Sequence, residues 1–160
     1  MLKRLEIAGF KSFARKTVLD FSSSVTSVVG PNGSGKSNVA EAFRFALGEQ
    51  SMKSMRGKRG EDLLCNGSRT LSRANRASVK IALDNERRLL PLDFDEVVIE
   101  RVLLRDGSHQ YLLNGSAVRL RDIISTLSAM HIGASSHHII SQGEADRILN
   151  CSIRERRAMI

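Results

Sequence analysis

Hydrophobic and polar positions along the chain change period several times, and each change marks an element. Residues 2–10 alternate, with Leu5 and Ile7 on one face and Arg4 and Glu6 on the other, which predicts a half-buried strand. Residues 17–21, carrying Val18, Leu19 and Phe21, predict a second strand. The short β-rich run VTSVV at 25–29 predicts a third that leads straight into Gly30. From Ser37 the period lengthens: Val39, Ala42, Phe43, Ala46 and Leu47 fall at helical spacing, and Gly48 follows as a stop. Residues 48–76 scatter Gly, Ser and Asn among Lys and Arg, with Leu63-Leu64 as the apolar pair, and predict a surface excursion with a short helical turn. Strands are expected again at 78–83, 96–104 and 109–113. Asp106-Gly107 and Asn114-Gly115 predict hairpin turns of type I′, in which both central residues need positive φ. Leu120, Ile123, Ile124, Leu127 and Met130 give residues 119–130 one apolar helical face. Ile139-Ile140 reads as a short buried strand, residues 144–149 as a turn of helix, and Ser152 with Glu155 as a capping box opening another. That last pattern has hardly begun at Ile160, so the chain is expected to be a truncated piece; it shows no internal repeat.

Composition narrows the class. Of 160 residues, 41% are hydrophobic and 26% charged, enough apolar surface for about one domain with a real core. No run approaches the roughly 18–20 apolar residues of a membrane span, and MLKRLEIAGF lacks the apolar centre of a secretory signal, so a soluble intracellular protein is expected. Cys65 and Cys151 are too few and too far apart for a disulfide framework or a closed zinc site. A net charge of +8 favours a polyanionic partner, whereas aromatic residues at 4% argue against a base-stacking platform.

The sharpest chemical signal is Gly30-Pro31-Asn32-Gly33-Ser34-Gly35-Lys36-Ser37, a full match to the phosphate-binding pattern G-x-x-x-x-G-K-[ST]. Glycines let the backbone wrap closely around a phosphate, so that successive N–H groups point into one concavity. The helix that follows adds the positive end of its dipole. Lys36 is then expected at the β- and γ-phosphates and the Ser37 hydroxyl on magnesium. A strand before and a helix after are the context this motif requires, and the pattern predicts both. Two weaker features stand beside it. Gln142, in Ser141-Gln142-Gly143-Glu144, sits between a short apolar run and a helix, where it could complete a magnesium shell; Lys11 and Ser12 lie in a polar turn between Phe10 and Phe13.

Together these segments resemble the N-terminal ATPase lobe of the SMC family of chromosome-structuring ATPases, in its bacterial form. The resemblance rests on LKRLEIAGFKSFARKT, GPNGSGKSNVAEAFRFALGEQ, SMKSMRGKRGEDLLCNGS and HHIISQGEADRILNCSIRERRAMI, in family order over nearly the whole chain. It implies an α/β P-loop fold, an ABC-type ATPase head lobe with an antiparallel β region beside the nucleotide-binding core, spanning residues 1–160. It implies ATP and Mg2+ as ligands, with Asn38, Lys11 and Ser12 joining residues 30–37 at the nucleotide, Gln142 as the Q-loop glutamine and Arg56 as an arginine finger. Lys53, Lys58 and Arg59 become candidate contacts to double-stranded DNA phosphates. Implied partners are a C-terminal head lobe of the same protein, a second copy joined through heads and hinge, DNA and a kleisin-type accessory subunit, in the cytoplasm at the nucleoid. No LSGG-type signature and no Asp-Glu ending an apolar strand occur, so the chain is expected to bind ATP with little turnover of its own. A recombination-repair ATPase of the RecF, RecN or break-repair type shares the opening strands and the phosphate loop, but FKSF and SQGEADRIL fit SMC better. A small-molecule P-loop kinase would need a basic lid, which residues 48–76 imitate.

Overall fold

Alternating burial builds the sheet. In the computed structural model, which describes residues 2–129, strand β1 (Leu2–Ala8) buries Leu5 and Ile7 and turns Arg4 and Glu6 away. It pairs on one side with β2 (Thr17–Asp20) and on the other with β3 (Arg76–Asp84). Then follow β4 (Glu96–Leu104), β5 (His109–Leu113) and β6 (Ser116–Val118), giving a six-stranded antiparallel sheet in the order β2-β1-β3-β4-β5-β6. Register carries one apolar row across the inner face: Leu5 opposite Ile81, Ile81 opposite Ile99, Ile99 opposite Leu113. The outer face is an ionic ladder, in which Glu6 faces Lys80 and Lys80 faces Glu100, with Lys16 on Glu6 at 2.8 Å. Cross-strand opposite charges of this kind suit a solvated face.

Helix α1 (Lys36–Ala46) lies on the inner face against β3 and β4, burying Ala42, Phe45 and Ala46. Helix α2 (Leu120–Ser128) adds Ile123 and Leu127 to the same core beside β5. One polar side chain crosses this apolar layer. Arg101 stands in the row of Val79 and Tyr111, only 2% exposed. Its guanidinium lies 4.2 Å from the Phe45 ring centroid and donates to the Phe45 and Glu49 carbonyls at 3.0 and 2.6 Å. It thereby adds a second donor to the Phe45 carbonyl, which also accepts the Gly48 N–H at 3.2 Å, satisfies the Glu49 carbonyl just past the helix, and ties the end of α1 to the sheet.

Three sequence expectations change here. Residues 25–29 form no strand: Val25, Val28 and Val29 are 80%, 47% and 87% exposed, because no neighbouring strand among the described residues offers its backbone a ladder. Residues 48–76 are no loose excursion, since Met55, Leu63, Leu64 and Cys65 enter the core. Backbone bonds stitch this segment to the end of β1, Lys11 N–H to Leu63 O and Cys65 N–H to Gly9 O, with a short 3-10 helix at Gly60–Leu63. Gly9 permits the stitch: its φ is +65, and a Cβ there would sit 2.1 Å from the Arg76 carbonyl oxygen. The Asp106-Gly107 turn has positive φ only at Gly107, so it is a longer loop rather than type I′, whereas Asn114 and Gly115 both have positive φ, as expected. The sheet of the described residues is antiparallel throughout, as the antiparallel β region expected beside the nucleotide-binding core requires. Met130 and everything after it lie outside the described residues.

Arg101→Met should lower stability by about 1–3 kcal/mol, because it removes the side-chain donor to the Glu49 carbonyl and the second donor to the Phe45 carbonyl while keeping most of the side-chain bulk. Urea denaturation followed by circular dichroism checks this through the unfolding midpoint.

Candidate functional site

The loop at 30–37 closes on the N-terminus of α1. Gly35 is the N-cap at φ 93, a conformation closed to most residues, and makes no side-chain cap bond. A Cβ at this position would also lie 2.7 Å from Ser12 Oγ. The loop is tightened by Ser34 N–H donating to Pro31 O at 3.3 Å, and the helix opens with Asn38 N–H donating to Gly35 O at 2.9 Å. Lys36 reaches back across the loop, its Nζ donating to the Gly30 and Pro31 carbonyls at 2.7 and 2.8 Å. Pro31, Asn32, Gly33, Ser34 and Ser37 are exposed, and the first turn of α1 carries no acidic residue. The first N–H groups of a helix have no intrahelical acceptor. Together with the helix dipole and an ammonium they form a donor set suited to a polyphosphate and to little else. The residues present fit ATP in that respect, and the exposed Ser37 hydroxyl is of the kind that would hold a metal beside the phosphates.

A second layer of side chains gathers behind this loop. Asn38 Nδ2 donates to Ser12 Oγ at 2.8 Å, which brings the β1–β2 connection against the start of α1. Arg56 Nη2 donates to Asn38 Oδ1 at 3.2 Å, so the sequence-distant Arg56 arrives at the same place. Lys11 is directed inward: its ammonium donates to Glu41 Oε2 and to the Met55 carbonyl. Arg56 Nε donates to the other oxygen of that carboxylate, Glu41 Oε1. Lys11, Ser12, Asn38 and Arg56 are thus brought together, and Glu41 joins them. The sequence reading passed over Glu41. Its signal was a carboxylate three and four residues beyond Asn38 and Ser37, set beside the core position Ala42 in a basic stretch.

An open cleft of about 310 Å³ adjoins this layer, lined by Lys11, Ser12, Asp62, Cys65, Asn66 and Ser68 among others. Asp62 shapes its edge by accepting the N–H groups of Lys58 and Arg59 at 2.7 and 2.9 Å. The Arg59 and Lys58 backbone N–H bonds hold the Asp62 carboxyl below its ordinary range, so it is ionised at neutral pH. Lys53, Lys58 and Arg59 are exposed and lie apart from the loop bonds just described. Gln142 lies outside the described residues, as do Cys151, His137 and His138. No helix among the described residues is long and apolar enough to cross a membrane.

Comparison with known proteins places this geometry. Residues 1–154 match the model of the RecF/RecN/SMC N terminal domain. The chromosome partition protein Smc of Lactiplantibacillus plantarum is 47% identical over 159 residues, covering 99% of this chain and 13% of its own length. That of Bacillus subtilis is 46% identical over 158 residues, with the same two coverages of 99% and 13%. The chain therefore spans about one eighth of the length of these relatives. Among solved structures, one from work on ATP-driven dimerization and DNA-stimulated activation of SMC ATPases superposes with a TM-score of 0.94 at 40% identity, covering 99% of this chain and 96% of that one. A Smc head bound to the C-winged helix domain of ScpA gives 0.94 at 41% identity, covering 99% of this chain and 49% of that one. A RecF–ATP structure matches less well, at a TM-score of 0.59 and 25% identity over 77% of this chain and 29% of that one. The fold is the N-terminal region of an ABC-type ATPase head, and the chain belongs to the RecF/RecN/SMC family, on its SMC side.

Proposed function

We propose that this chain is the nucleotide-binding half of an SMC ATPase head, in which ATP binding joins two heads and hydrolysis releases them to organise and segregate chromosomes. The observation that carries the reading is the loop at 30–37, which brings together the Lys36 ammonium, the positive-φ Gly33 and Gly35 and the N-terminus of α1, whose first turn carries no acidic residue. The amides of Gly30, Pro31's neighbour Asn32, Gly33, Ser34, Gly35 and Lys36 cradle the phosphates. Lys36 would exchange its two carbonyl acceptors for phosphate oxygens, and Ser37 with Gln142 would hold Mg2+. Magnesium held there would supply the positive charge that offsets the phosphate oxygens. Ser12 and Asn38 shape the rim, and the cleft lined by Lys11 and Ser12 takes the nucleoside end. Arg56, two bonds from the loop through Asn38, acts as the arginine finger.

Half a site needs a complement. The exposed run at 25–29, unpaired among the described residues, leads directly into the phosphate loop and supports a second lobe of the same protein, which would supply its neighbouring strand and a catalytic carboxylate. A second copy through heads and hinge and a kleisin-type subunit complete the assembly; the matched Smc head binding ScpA supports the latter. Lys53, Lys58 and Arg59 form a basic edge for double-stranded DNA, read through phosphates rather than bases. Such a protein works in the cytoplasm, at the nucleoid.

Isothermal titration of Mg-ATP tests the assignment. Lys36→Ala should lose more than about tenfold in affinity, equivalent to about 1.4 kcal/mol, and unchanged affinity would refute the loop. The chain without its complementary lobe should bind ATP yet show negligible phosphate release in a malachite-green assay. Replacing Lys53, Lys58 and Arg59 together by Ala should weaken duplex DNA binding by the full-length protein. The log–log salt slope should shrink by about 2–3, as fluorescence anisotropy would read.

A further inference from the structure

Among the described residues, Glu41 is the one buried carboxylate near the phosphate loop, 5% exposed, one helical turn behind Ser37 on α1. An unpaired carboxylate at such depth is costly, and here it is paired twice. Lys11 occupies one oxygen and Arg56 the other. The two cations differ in exposure. The Lys11 side chain is 12% exposed and also holds the Met55 carbonyl, the peptide that precedes Arg56; the Arg56 side chain is 56% exposed. Lys11 is therefore an internal pin, fixing both the carboxylate and the backbone from which Arg56 projects. Both cations stand at positive φ, Lys11 at 46 and Arg56 at 49, a backbone region that long side chains rarely occupy. The chain adopts it at two sequence-distant points whose side chains end on the same carboxylate.

We propose that Glu41 is a positioning residue for the ATPase reaction: pinned by Lys11, it grips Arg56 through Nε and aims the guanidinium at the phosphate loop. Gripping at Nε turns the terminal nitrogens toward Asn38, with Nη2 already on Asn38 Oδ1 at 3.2 Å. An arginine held at that edge by Nε and Nη2 keeps Nη1 and the second Nη2 hydrogen for an incoming anion, and its orientation entropy is lost before the anion arrives. The effect falls on charge that develops in the transition state rather than on ground-state binding. Glu41 itself touches no phosphate. This inference rests on the nucleotide-site reading above and adds to it how the finger is set.

The test is steady-state ATP hydrolysis by the full-length protein, with Mg-ATP affinity measured separately. Glu41→Gln keeps the side chain's shape and removes its charge, and should lower kcat by about tenfold or more while KM and affinity change by less than about twofold. Glu41→Asp keeps the charge and should retain more turnover than Glu41→Gln. The decisive comparison is non-additivity: in an Arg56→Ala background, Glu41→Gln should cost little more, because the group it positions is gone. A wild-type kcat for Glu41→Gln, a loss expressed in KM alone, or a loss that adds in full to that of Arg56→Ala would each overturn the proposal. Should Glu41→Gln lose its cooperative melting transition, Glu41→Asp carries the same cycle. An unaltered protein that binds no Mg-ATP would instead defeat the nucleotide-site reading, and this inference with it.

Discussion

Everything at the site depends on how helix α1 is fixed to the sheet. Its C-terminal turn is held by the Arg101 guanidinium, which reaches from β4 through the apolar layer to the Phe45 and Glu49 carbonyls. Near its N-terminus the contacts are polar as well, with Asn38 on Ser12 and Glu41 on Lys11 and Arg56. Between the two ends, Ala42, Phe45 and Ala46 supply the packing. Apolar burial alone would let a helix slide or rotate on its sheet by small amounts, since such contacts are non-directional. Hydrogen bonds at both ends remove that freedom, and an anion cradle made of main-chain N–H groups needs it removed.

The same logic explains why the segment between α1 and β3 is so basic and yet well anchored. It returns to the end of β1 through Gly9, Lys11, Leu63 and Cys65, and that return places Arg56 beside Asn38. Positive charge is thereby concentrated beside the loop proposed to bind a polyanion, with Glu41 as its internal counter-charge. The ordering of two cations by one buried carboxylate needs no further element among the described residues.

Much of this was legible from residue order. Strands β4 and β5 fall where period-two alternation puts them, and α1 starts and stops at the glycines that flank its apolar face. The phosphate loop was plain because its glycines and Lys36 answer to a fixed backbone geometry. What failed to show was context. The valines at 25–29 have strand propensity, but a strand exists only where a neighbour accepts its hydrogen bonds. Residues 48–76 looked like solvent-facing loop because their buried members are few, and nothing in local sequence reveals that Gly9 leaves room for them. Glu41 was hidden for a related reason: a carboxylate on a helix is ordinarily solvated, and only the fold brings two cations from distant segments to it.

The most direct test of the central claim, that main-chain amides and one ammonium form a triphosphate cradle, is a Mg-ATP titration followed by amide chemical shifts in NMR. The account predicts that the largest perturbations fall on Gly33, Ser34, Gly35, Lys36, Ser37 and Asn38, with Arg56 moving at the same ligand concentrations. Perturbations confined to the basic edge at Lys53, Lys58 and Arg59, or none at the loop under saturating nucleotide, would contradict it.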